Sequence, residues 1–372
     1  MGGRLEPDVM RLPVPFAAFA LVTLAFAGCL EETASDKDAD SDVPPKAEYS
    51  IPELPKVDAK VLLENHKKFV SAHPYRAFNS VGHKGAREAI AKEFEGAGLV
   101  LWRQSFTAGN LPQENVCAVK IGAVEPTTWV VMGAHYDTTT WDAIPAGDNA
   151  PGKLVSQGAY DDGSGTWLVI ETAKAYAKID SAYSIVFCAF DGEERGLQGS
   201  RAVKRAMGDG GDFPFEVNRT RAMLDLDMFG INWPVRSPIF VTQNNPELLG
   251  KIDAQRKLMK IPDDMFRTRP TLPTLGSSDY ATWIGDTPTV FFISEWFECA
   301  VPTPVPNPAP VPGVPCSYPF WHWMDTVETM TAMAGGPDMS RAGFQTALDL
   351  SVATLGFMAL DPGFAFEPPA KA

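Results

Sequence analysis

The chain of 372 residues has only five cysteines, Cys29, Cys117, Cys188, Cys299 and Cys316. So few in so long a chain exclude a disulfide-dense scaffold. It also lacks a basic block. Lys and Arg number 32 against 46 Asp and Glu, which gives a net charge of −14. An acidic chain repels a phosphate backbone, so nucleic acid is not an expected partner. No apolar run reaches the length of about 18 residues that a membrane-spanning helix needs. No repeat at a period of about 20 to 50 residues points to a solenoid. Hydrophobic residues at 45% and charged residues at 21% are ordinary globular proportions, which argues against global disorder.

The nearest approach to a long apolar run covers residues 12–28. It follows Arg4 and Arg11 and ends in Ala27-Gly28. Charged, then apolar, then small is the order of an export signal. The tail Leu24-Ala25-Phe26-Ala27-Gly28-Cys29 resembles a bacterial lipoprotein cleavage box, with Phe26 where Leu is usual. That resemblance implies lipidation of Cys29 and a membrane anchor; ordinary signal cleavage nearby is the alternative. Either way the mature chain is expected outside the cytoplasm, in the cell envelope, the periplasm or the medium. Residues 1–29 are thus read as the signal. Residues 30–55, rich in Asp, Glu, Ser and Pro, read as a flexible acidic tether. Residues 56–362 read as one globular domain and 363–372 as a tail.

Within the domain, apolar spacing predicts helices over 57–72, 83–97, 165–179, 197–206, 246–259 and 340–358. Strands are predicted over 99–106, 115–121, 128–134, 183–190, 221–229 and 289–293. Alternating strands and helices indicate an α/β fold with helices on both faces of the sheet. In such sheets the site lies beyond the carboxyl ends of the strands.

Those ends carry acids and histidines. The third strand runs into His135-Tyr136-Asp137. The segment Gly158-Ala159-Tyr160-Asp161-Asp162-Gly163-Ser164-Gly165 precedes a helix, where an Asp is an ordinary N-cap. The 183–190 strand ends in Asp191-Gly192-Glu193-Glu194. Asp225 and Asp227 interrupt an apolar strand, and His322 follows Trp321. Each feature alone fits a solvated or capping role. Gathered at one sheet edge, they form a nitrogen and oxygen donor set suited to zinc. Ser164 is not placed as a nucleophile, because the nucleophile elbow needs glycines two residues away on both sides.

The stretches GAHYD (133–137), GAYDDGSG (158–165), FDGEERGLQGS (190–200), LDLDMFG (224–230), SSDY (277–280) and HWMDT (322–326) resemble the bacterial zinc aminopeptidases with two co-catalytic metals, secreted exopeptidases that share their fold with glutaminyl cyclases. The resemblance implies a three-layer α-β-α fold with a mixed, mostly parallel sheet, peptide substrates and two zinc ions per chain. It implies that His135 and Asp227 hold one zinc, that Glu194 and His322 hold the other, and that Asp161 bridges them. Glu193 would be the general base and Asp137 would orient His135. Asp279, Asp325 and Trp321 are candidates to support these residues from behind. Two zincs carry more charge than the three carboxylate ligands, and such a surplus lowers the pKa of bound water.

Three positions depart from the aminopeptidase pattern. Tyr160 stands where Asn or Asp is common, Asp225 where Asn is usual, and Trp321 where many members have Tyr. Glutaminyl cyclases also have Trp before this His, so a single-zinc cyclase acting on N-terminal Gln is the alternative. A metal-free binding module on the same fold is a third reading. Export makes a Cys299–Cys316 disulfide the expectation; it would staple the Pro-rich stretch 301–312 ahead of His322. Cys117 and Cys188, in predicted buried strands, are expected as core thiols.

Overall fold

The computed structural model describes residues 48–139, 156–208, 217–231, 239–243, 245–263, 267–269, 278–294, 318, 320, 322 and 324–364. Cys29, Cys299, Cys316 and Trp321 lie outside the described residues. So do the export signal, the Pro-rich stretch, and the greater part of the tether and of the C-terminal tail.

Helix α1 (Ala59–Ala72) starts where the Asp58 side chain accepts the Lys60 N–H, and it buries Leu62, His66, Phe69 and Val70 on one face. Ser80 caps α2 (Val81–Gly96) in the same way. Strands β1 (Val100–Ala108) and β2 (Leu111–Lys120) form a hairpin. Its two turn residues, Gly109 and Asn110, both have positive φ, 57° and 63°. Such a turn matches the right-handed twist of the flanking strands. It also carries β2 four residues further back than the expected start at 115.

The remaining strands are β3 (Glu125–His135), β4 (Tyr183–Phe190), β5 (Thr220–Asp227), β6 (Ile239–Gln243), β7 (Arg267–Arg269) and β8 (Thr289–Ile293). They make one eight-stranded sheet in the order β1-β2-β4-β3-β5-β8-β6-β7. The central run β4-β3-β5-β8 is parallel, as is β6-β7; the other pairings are antiparallel. Every residue of β4 is buried, as is β3 from Trp129 onward. Strands covered on both faces read as continuous apolar runs, which is why the sequence revealed them. Strands β6 and β7 were not expected.

Helices α3 (Gly163–Tyr176) and α7 (Pro337–Ala359) pack on the parallel strands, with α1 beside both. Helix α4 (Gln198–Ala206) packs on β1 and β2. Helices α5 (Pro246–Leu258) and α6 (Val327–Met333) lie against α7. The result is the α-β-α fold expected. Helix α6, with its Thr326–Thr329 capping box, was not.

One expectation is corrected. Cys117 and Cys188 are not free thiols; they are bonded to each other. They sit directly opposite on the antiparallel pair β2 and β4 and are fully buried. Cross-strand register decides this pairing, and register between strands 71 residues apart has no local signature in sequence.

Cross-linking residues that far apart removes unfolded-chain entropy worth about 4 kcal/mol. Replacing both cysteines by Ala is therefore expected to lower stability by about that amount in urea titration. Because neither sulfur is exposed, reductant should act on the native protein only as fast as it opens. An unchanged urea midpoint in the double variant counts against the bond.

Candidate metal centre

His135 and Asp227 are the last residues of β3 and β5, and Glu193-Glu194 lie just beyond the carboxyl end of β4. The Asp161-Asp162 pair arrives just ahead of α3, joined by a cis peptide bond. His322 enters from the far end of the chain. Its φ of 57° is in the left-handed region, which is sparsely used by residues with a side chain and is concentrated at functional sites.

Two donor groups form. His135, Asp162 and Asp227 make one, and Asp161, Glu194 and His322 the other; within each, the donor atoms lie within 4.8 Å of one another. Asp161 touches both. Its Oδ1 is 3.1 Å from His135 Nε2, and its Oδ2 accepts a hydrogen bond of 2.9 Å from His322 Nε2. His322 Nε2 is also 3.2 Å from Glu194 Oε1. His135 Nε2 stands 3.7 Å from Asp227 Oδ1 and 4.0 Å from Glu193 Oε2. The sequence-predicted residues His135, Asp161, Glu193, Glu194, Asp227 and His322 thus converge on one place.

The supporting contacts are specific. His135 Nδ1 donates to the Asp137 main-chain oxygen at 3.1 Å, while the Asp137 carboxylate lies 3.5 Å away. That carboxylate instead accepts the N–H groups of Glu193 and Glu194 at 3.1 and 3.3 Å. Asp137 therefore holds the histidine with its backbone and the Glu-Glu turn with its side chain. Asp325 accepts the N–H groups of Tyr160 and Asp161, both at 2.9 Å. Asp225 accepts the Tyr280 N–H at 2.8 Å, which fixes the backbone beside the buried Asp279. Tyr160 places its hydroxyl 3.2 Å from Ser294 Oγ, so a residue that departs from the expected pattern ties the Asp161 turn to the end of β8. Ser164 Oγ donates to the Tyr160 carbonyl and accepts the Phe229 N–H; it serves the turn.

The electrostatics show how much like charge is gathered. Burial pushes the Glu193 carboxyl well up, and Asp279, Glu194 and Asp227 add to the rise against the pull of His135. Burial and Asp161 raise Glu194 to about 7. Burial also raises Asp279 and Asp325 to about 7. For the two histidines burial acts downward and is outweighed. Asp161 and Glu194 lift His322 to about 10, and Asp137, Asp161 and Asp227 lift His135 well above its usual value. Protons thus stand in for positive charge that the carboxylates demand. His135 Nε2, Asp162 Oδ2 and Asp227 Oδ1 are buried with no hydrogen-bond partner. Orphaned polar atoms of this kind are costly unless a cation engages them. Imidazole nitrogen and carboxylate oxygen at this mutual distance fit zinc.

Sequence reasoning gave no part at the metal centre to four residues that contribute to it. Asp162 was read as an N-cap, and its Oδ1 does cap α3 through Gly165 at 2.7 Å, but the residue also belongs to the first donor group. His83 and Asp191 form a buried pair at 2.8 Å behind the Glu-Glu turn. His66 meets the Ala159 carbonyl at 2.7 Å beneath the Asp161 turn. Neither histidine has a motif around it that would have singled it out.

Residues 115–299 match the family model described as Peptidase family M28. Over 189 residues the chain is 28% identical to aminopeptidase YwaD of Bacillus subtilis, covering 49% of this chain and 36% of the relative. The chain spans about a third of the length of the curated relatives it matches. Among solved structures it resembles BSAP, a zinc aminopeptidase from Bacillus subtilis, with a TM-score of 0.63, 16% identity, and coverage of 86% of this chain and 100% of the other. It also resembles a glutaminyl cyclase from an Acidobacteriales bacterium, with a TM-score of 0.59, 19% identity, and coverage of 87% and 99%. At such identities the likeness is one of fold.

Burial lowers the His66 pKa from 6.5 to about 4 in the folded chain. Stability from its neutral form is complete above about 6.5, the unfolded value, and is lost as pH falls toward 4. The loss is on the order of 3 kcal/mol. Urea midpoints in chelator at pH 7 and 4.5 should therefore differ less in His66→Gln than in the parent. An equal fall in both removes His66 as the cause.

Proposed function

We propose, on the premise that this chain belongs to Peptidase family M28, that it is a zinc-dependent aminopeptidase that removes N-terminal residues from peptides. The observation that carries this reading is Asp161 set between two histidines, each the member of a separate donor group. That arrangement suits two ions sharing one carboxylate. His135 and Asp227 would hold one zinc, Glu194 and His322 the other, and Asp161 both. Zinc, when bound, supplies Lewis acidity toward the scissile carbonyl.

The chain's own groups do the rest. Glu193 is the general base. Its Oε2 faces the same space as His135 Nε2, and its raised pKa suits a group that must both take and return a proton. It accepts the proton of the attacking water and delivers it to the departing amine nitrogen. Asp137 sets the position of Glu193 through the main-chain N–H it accepts. Asp325 supports the Asp161 turn from behind, and Asp279, buried near Glu193, adds to the charge that raises its pKa.

We place the protein outside the cytoplasm, exported by residues 1–29 and anchored to the membrane where Cys29 is lipidated. The buried Cys117–Cys188 bond supports an oxidising compartment. Peptides are the partners; nucleic acid is not.

The purified protein is expected to carry two zincs per chain by metal analysis and to hydrolyse aminoacyl nitroanilides such as the leucyl derivative. Glu193→Gln should keep both zincs while kcat falls by about 10²- to 10⁴-fold. A fully active Glu193→Gln removes the base assignment. One zinc per chain, with cyclisation of a Gln-initiated peptide and no nitroanilide hydrolysis, would select the cyclotransferase reading.

A further inference from the structure

Arg76 belongs to no motif and lies in the short link between α1 and α2, yet it is completely buried. Among the described residues no carboxylate comes within 4.0 Å of it. Its partners are main-chain carbonyls. Nε donates to Tyr136 at 2.5 Å, Nη1 to Gln157 at 2.6 Å and to His73 at 3.4 Å, and Nη2 to Gly158 at 2.9 Å. Its own N–H donates to Thr138 Oγ1 at 3.0 Å. The guanidinium also lies over the Phe69 ring, 5.2 Å from the centroid.

Apart from that of the nearby His73, these carbonyls belong to two segments. Tyr136 is the residue after His135. Gln157 and Gly158 are the residues through which the chain reaches Asp161. A guanidinium presents several N–H groups in a rigid planar fork, and here the fork spans both segments. Gly158 leaves room for it: a Cβ there would stand 2.8 Å from Nη2, and the φ of +55° also disfavours a side chain. Burying a cation without a salt bridge is expensive. The acids at Asp325, Asp162, Asp137 and Asp161 offset part of that cost through their field. An apolar side chain would fill this space more cheaply, so the fork itself is what the site uses.

We propose that Arg76 is a positioning residue for the metal centre: it ties the chain leaving His135 to the chain arriving at Asp161, and so fixes the spacing between these two ligands. The inference rests on the zinc reading above. It differs from general core packing in one respect: loss of the fork should cost metal affinity beyond any loss of fold stability.

The test uses the full-length protein stripped of metal, with Arg76→Lys, Arg76→Met and the milder Thr138→Val. Zinc affinity is measured by competition with a chromophoric chelator, and Tm is measured with and without zinc. Arg76→Lys and Arg76→Met should both bind zinc about 10- to 100-fold more weakly, the usual effect of losing a group that orients ligands. The rise in Tm on adding zinc should shrink accordingly. Lysine keeps the charge but not the fork, so it should not rescue. Thr138→Val, which frees only the Arg76 main chain, should weaken zinc by a smaller factor. Parental affinity and an undiminished zinc-dependent Tm rise in a folded Arg76 variant overturn the proposal, as does full rescue by lysine. If neither Arg76 variant folds, parental affinity in Thr138→Val overturns it. A parent chain that takes up no zinc removes the metal reading, and this inference with it. Zinc uptake by the parent with no change in the variants removes this inference alone.

Discussion

Like charge confined at the end of a buried sheet is the constraint on which the rest of this structure depends. Asp161, Asp162, Asp225, Asp227 and Asp279 lie within a water-poor space. Carboxylates there repel, and burial penalises every ionised form. The chain answers in three ways. Two histidines are drawn in and their basicity is raised. Main-chain N–H groups are turned toward Asp137, Asp162, Asp225 and Asp325. Arg76 brings one permanent cation from behind. The donors still without a partner define where a further cation belongs.

The fold creates this concentration because parallel strands deliver their carboxyl ends to one edge. Strands β3, β4 and β5 are neighbours through β3, so His135, the Glu193-Glu194 turn and Asp227 emerge side by side although nearly a hundred residues separate the first from the last. Asp161 comes from a different kind of element, the start of α3, where Asp162 caps the helix and the helix N-terminus favours negative charge. A cap and a cluster donor are adjacent residues here, and one local geometry serves both.

Much of this was legible in the sequence because burial on both faces leaves a strong trace. The uninterrupted apolar run of β4, broken at once by Asp191-Gly192-Glu193-Glu194, marks a strand end and a site together. The acids and histidines at strand ends were visible for the same reason. What the sequence did not disclose depends on relations between distant segments. The Cys117–Cys188 bond follows from the register of β2 against β4, and no local pattern encodes register. The three-residue β7 is too short to carry a period. Arg76 is a lone basic residue in a link, and only the folded chain shows that its fork reaches across to carbonyls 60 and 82 positions further on.

Asp137 illustrates why ligand identity and ligand placement are separate problems. Its type and spacing suggest a carboxylate that orients a histidine. In the fold the carboxylate is directed at the backbone of Glu193 and Glu194, and the histidine is held by the carbonyl of the same residue. One residue thus couples the end of β3 to the turn after β4. Displacing it would shift the base, one donor of each group and the spacing between them together. The acids at this sheet end are therefore a coupled set rather than a collection. Three strands, one helix cap and one buried guanidinium hold it at a separation that the carboxylates, left to their own repulsion, would not keep.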